Sequence, residues 1–133
     1  MTPSLLLSDL LQMTPEFTAA WHSESNHHAA RDGRHTFAGV CSQYSDYFVD
    51  QNRFAEPSLV DRTAYPTMSD GDMRALFAYV EKHVSNRDAS SDDLVGALLT
   101  CFVENIASTP AGRYARRFMG DFTRQYFDQW HVD

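Results

Sequence analysis

Four histidines lie close together along the chain, His22, His27, His28 and His35, and imidazole is a common ligand for zinc, copper or nickel. His22 and His27 are five residues apart, a spacing that does not place them on one face of a helix. Surface histidines on a polar connection are therefore favoured over a metal centre or a pH-sensitive contact. Cys41 and Cys101 fall on apolar helical faces and read as reduced core thiols rather than a redox pair. Glu104 and Asn105 sit inside an apolar run, where a buried carboxylate can be tuned as a general acid. The alternative is that Glu104 faces solvent or pairs with Arg116 or Arg117. Arg113, Arg116 and Arg117 recur at i, i+3, i+4, a basic helix face that is either salt-bridged or able to hold a phosphate. Asp70, Asp72, Asp88, Asp92 and Asp93 gather where one helix begins and around the loop before the next, with Asp46, Asp50 and Glu56 as an extension. They serve either as helix caps or as a docking surface for a basic protein.

Other chemistry has no residue set to carry it. The sequence contains neither a Gly-x-Ser-x-Gly elbow nor a glycine-rich phosphate loop, the usual marks of nucleophilic hydrolysis and nucleotide binding. No catalytic residue, cofactor or metal is expected. The net charge of −7 repels phosphates and anionic lipid and attracts basic partners. Protein is thus the expected partner, with nucleic acid and membrane disfavoured. The acidity sits in the middle of the chain, while residues 105–133 are slightly basic. The opening Met1-Thr-Pro-Ser-Leu-Leu-Leu carries no Lys or Arg and its apolar run is short, so a cytoplasmic location is expected.

The elements that must position these residues are helical from end to end. At 133 residues with 43% hydrophobic composition, a single all-α domain is expected, a compact bundle of about six helices. Leu6, Leu7, Leu10 and Leu11 form the first stripe, and Thr14-Pro15-Glu16 reads as cap and first turn of a second helix. Phe37, Val40, Cys41, Tyr44 and Phe48 trace an amphipathic helix, followed by a long connection over 53–68. Ser69 caps a helix carrying Met73, Leu76, Phe77, Val80 and Val84, and Ser90 or Ser91 caps the next. That one, spanning 91–107, is apolar nearly all round and is placed centrally. Residues 69–107 form an antiparallel hairpin like one unit of a HEAT-type solenoid. Thr109-Pro110 opens a short helix that Gly120 is expected to stop. The last helix gathers Phe122, Tyr126, Phe127 and Trp130 on one side, to dock onto the central helix.

The order of short motifs carries a resemblance. Thr14-Pro15-Glu16-Phe17, His35-Thr36-Phe37, Val103-Glu104-Asn105-Ile106 and Met119-Gly120-Asp121-Phe122-Thr123-Arg124 take the places of comparable motifs in a family of small all-helical bacterial proteins. Some members resemble immunity proteins of polymorphic toxin systems. Asp121 stands where that pattern has proline. The resemblance implies an all-α, non-enzymatic inhibitor that neutralises a toxin by surface complementarity, and it brings no catalytic residues. Asp46, Asp50, Asp70, Asp72, Asp88, Asp92 and Asp93 are then the candidate contacts to a basic toxin domain. A small enzyme or ligand-binding bundle, with a pocket around Glu104 and Asn105 or a histidine metal site, is the alternative.

Overall fold

The computed structural model describes residues 1–29, 35–53, 68–86 and 90–131. Most of the 53–68 connection, together with Glu56 and Asp88, lies outside the described residues. Within them are seven helices and no strand: α1 Pro3–Met13, α2 Phe17–Trp21, α3 Phe37–Gln51, α4 Asp70–Ser85, α5 Asp92–Ile106, α6 Pro110–Phe118 and α7 Asp121–Trp130. Hydroxyl caps start five of them, α1 included, where Thr2 accepts from the Leu5 N–H at 3.2 Å. Thr36 accepts from the Gly39 N–H, Ser69 from Asp72, Ser91 from Leu94 and Thr109 from Gly112, at 2.9 to 3.2 Å. Each satisfies a donor that the first helical turn leaves unpaired. Thr14 departs from its expected role. Its hydroxyl donates to the Leu10 carbonyl and shares a 2.8 Å hydrogen bond with the Tyr44 phenol, so it closes α1 and pins α3 instead of opening α2.

The centre of the core is aromatic. Phe102 on α5 meets Tyr44 and Phe48 of α3 and Phe77 of α4, with ring centroids 5.4 to 5.9 Å apart. Phe17 of α2 adds an edge-on contact to Tyr44 at 4.9 Å, within the range where such pairs contribute beyond their buried area. α4 and α5 run antiparallel, as the hairpin requires. The more extensive partner of α5, however, is α3. Residues 35–38 lie against 92–101, and Ser45 against Asn105, so α3 and α5 run parallel and in direct contact, and α4, which joins them in chain order, runs the opposite way. The middle of α5, Ala97–Val103, winds as a π-helix, with the Glu104 N–H donating five residues back to Leu99. Such wide turns are uncommon and often accompany functional sites.

The chain then bends by 113° from α5 into α6. Gly112 allows this, because a Cβ there would stand 1.8 Å from the Ile106 carbonyl oxygen. Gly120 does not end a helix in a left-handed turn as expected. Its backbone is extended and it precedes α7, where a Cβ would come within 2.4 Å of the Glu81 side chain. Glu81, reaching across from α4, accepts from the Phe122 and Thr123 N–H groups and from the Thr123 hydroxyl at 2.7 to 3.2 Å. One carboxylate thus caps α7 and ties it to α4, with the favourable sign at a helix N-terminus. Glu81→Ala is expected to lower stability by about 1–2 kcal/mol, read from the urea midpoint, and to speed amide exchange in the first turn of α7. The docking of α7 also differs from expectation, since Phe127 and Thr123 are buried whereas Phe122 and Trp130 are exposed.

Candidate functional site

Along the solvent side of the α3–α5 seam, the small residues Ala38, Gly96 and Ala97 leave space above the two helices. Two open cavities lie along it. The first, of about 570 Å³, lies over the N-terminal halves of both helices and the π-helical stretch, between Pro3, Phe37, Ala38, Gly96, Ala97 and Cys101. Asp92 and Asp93 stand at its edge. The second, of about 380 Å³, follows further along the seam, with Asp46, Asp50, Val49, Arg53 and Asn105 on its walls. Asn105 stitches the seam, its amide donating to the Cys101 carbonyl at 2.8 Å and to the Ser45 hydroxyl at 3.4 Å. Arg53 lies 3.7 Å from Asp50 in an exposed pair, too solvated to cancel the acidity of the groove.

The structure divides the expected acidic surface into two groups. Asp92 and Asp93 sit at the N-terminal end of α3, whereas Asp70 and Asp72 belong to the opposite end, where the Met68 N–H donates to Asn52. The length of α4 separates the groups, roughly 24 Å at 1.5 Å per residue. Asp46 and Asp50 lie toward the second group. Asp70 accepts from the Tyr114 hydroxyl at 2.7 Å, which gives it a structural task. Burial, then Glu16 and Asp72, push the Tyr47 phenol up to about 12. Glu16, which spacing gave no reason to include, therefore belongs with the acids at that end.

The remaining candidates are dispersed. His22, His27 and His28 are exposed and His35 is half-buried, and among the described residues no three His, Cys, Asp or Glu side chains are placed to share a metal ion. The His35 ring stands edge-on to Trp21 at 5.0 Å, and its Nδ1 is buried without a hydrogen-bond partner. The expected pairing of Glu104 does not form. Arg116 makes a two-pronged pair with Asp128 at 2.8 Å, and Arg117 donates to the Tyr114 carbonyl and covers its ring at 4.1 Å. With these two engaged, the basic face of α6 no longer presents a phosphate fork.

The thiols are both free but unequal. Burial, and secondarily Cys101, push the Cys41 thiol up to about 12, while Cys101 is half-buried at the cavity wall. Since the thiolate is the nucleophile, iodoacetamide at about pH 8 is expected to label Cys101 first, and Cys41 only on unfolding. Peptide mapping checks the order.

What the fold and groove define together is an all-helical bundle that presents carboxylates over an apolar floor. The chain matches no known family model, curated protein or solved structure. No single helix among the described residues is long and apolar enough to cross a membrane. α5 and α6 together reach that length and composition only as a sharply bent pair.

Proposed function

We propose that the chain is a binding protein that neutralises a basic protein partner, as an immunity protein occludes a toxin, and that the α3–α5 groove receives a segment of that partner. The observation that carries this reading is the alignment of two cavities on one seam, each edged by two aspartates. Lys and Arg suit such a surface, laying their methylene stems along Ala38, Ala97 and Val49 while their cationic heads reach the carboxylates. Charge of this sign also steers a basic protein toward the groove before contact.

The test begins with the protein that the tagged chain retains and whose activity it blocks. Replacing Asp46, Asp50, Asp92 and Asp93 with Lys is expected to slow its association by about tenfold or more at low salt, and the difference should shrink as salt is added. Association at an unchanged rate would reject the groove. A second reading, a small-molecule site in the first cavity, is favoured by the unpartnered Nδ1 of His35. Native mass spectrometry separates the two, because a stoichiometric small molecule or metal released by His35→Ala supports the second.

A further inference from the structure

The two thiols stand at one level of the α3–α5 seam. The Asn105 amide donates to the Ser45 hydroxyl at 3.4 Å, and four residues earlier on each of these parallel helices come Cys101 and Cys41. Side-chain packing gives the same register. Cys41 shares a small internal void with Leu98 and Phe102, which lie on either side of Cys101 along α5, and the Tyr44 and Phe102 rings meet beside it at 5.5 Å. Toward the helix N-termini, Phe37 and Ala38 share the first cavity with Ala97 and Cys101. Apolar periodicity alone gives no reason to pair thiols about sixty residues apart; the parallel contact of α3 and α5 does.

The pair is also unequal in the way that a reacting and a resolving cysteine are. Cys101 is half-buried at the wall of the open cavity of about 570 Å³, whereas Cys41 is 1% exposed. After burial itself, the neighbouring Cys101 helps to hold the Cys41 thiol protonated. A small disulfide such as glutathione disulfide can enter the cavity and meet the Cys101 thiolate, which attacks one of its sulfurs. A mixed disulfide forms as the reagent's S–S bond breaks, and one glutathione thiolate leaves. Cys41 then attacks Cys101 Sγ and expels the second glutathione thiolate, which takes up the Cys41 proton. The protein pair is oxidised by two electrons and the reagent is reduced to two thiols. Burial of Cys41 makes the second step the slower one.

We propose that Cys41 and Cys101 are a modification site, a reversible disulfide across the α3–α5 seam in which Cys101 reacts first. The inference does not depend on what the groove binds. The full chain is incubated with glutathione disulfide at about pH 8, and its intact mass is followed without reductant. The wild type is expected to pass through an adduct of one glutathionyl group to a product lighter than the reduced chain by two hydrogens, with a native helical spectrum. Peptide mapping should place the bond between Cys41 and Cys101, and dithiothreitol should restore both thiols. Cys41→Ser is expected to stop at the adduct on Cys101, and Cys101→Ser to stay unmodified while folded. Cys41→Ala, which buries no hydroxyl, replaces the serine variant if that one loses its helical spectrum. A wild-type chain that stays unmodified, halts at the adduct or takes up two glutathionyl groups overturns the proposal, because the thiols then do not reach each other. A bond that forms only in urea, or only between two copies, overturns it as well.

Discussion

Phe102→Ala is expected to cost about 3–5 kcal/mol, a large share of the roughly 5–15 kcal/mol that holds a domain of this size folded. Phe102 is 2% exposed and is the ring shared by Tyr44, Phe48 and Phe77, so its removal strips packing from three helices at once. The neighbouring rings sit on helices fixed by their own caps and can collapse only partly into the void. A urea titration checks the value through the midpoint at constant slope. Phe122→Ala, which removes the same side chain from an exposed position, should move the midpoint far less. A comparable loss in both would mean that the aromatic centre does not dominate the core.

Gly112→Ala is expected to be nearly as damaging, about 3 kcal/mol or more, for the opposite reason. An added Cβ meets the Ile106 carbonyl oxygen at 1.8 Å and its carbon at 2.7 Å, with the Phe127 ring at 3.3 Å. These are backbone atoms at a bend and cannot rotate aside, so the angle between α5 and α6 must open and Phe127 must lose its seat. Gly96→Ala supplies the contrast. That position is helical and has nothing within 4 Å of the added carbon, so the usual helical advantage of Ala, about 0.5–1 kcal/mol, should appear as a gain. Thermal denaturation of the two variants side by side separates crowding from helix propensity. A mild Gly112→Ala would show that the bend is not fixed by close approach.

The helices were legible because the signals that make them are local. Ser69, Ser91 and Thr109 cap where their spacing to the apolar stripes says they should, and the i, i+3, i+4 pattern of Phe37 to Phe48 finds the buried face of α3. Neighbours are a different matter, since periodicity says which face is buried and not what covers it. That α3 and α5 lie parallel, that Glu81 caps a helix forty residues away, and that Arg116 takes Asp128 rather than Glu104 are all pairings between distant segments. The acidic surface failed as a single patch for the same reason. Asp70, Asp72, Asp92 and Asp93 flank one helix in sequence, and a helix holds its two ends apart. In α7 the aromatics spread over an arc wider than the core can cover, so the part holding Phe127 is buried and the ridge from Phe122 to Trp130 is left outside. The π-helical winding of α5 left no mark in an apolar run that suits either geometry. The groove itself is a property of the seam, and small residues such as Ala38, Gly96 and Ala97 mark it only once the two helices are known to meet.

The parallel arrangement of α3 and α5 also bears on how the chain reaches this state. Phe48 and Phe102 are about fifty residues apart, so their contact closes a long loop, and chains dominated by such contacts fold more slowly than bundles of sequential hairpins. During synthesis, at roughly 5–20 residues per second, α3 leaves the ribosome seconds before its principal partner exists. Over that interval Tyr44 and Phe48 have only the first two helices, and then α4, to shield them. The central aromatic cluster is thus among the last parts of the core to close, and a nascent chain halted before α5 remains vulnerable to aggregation and proteolysis.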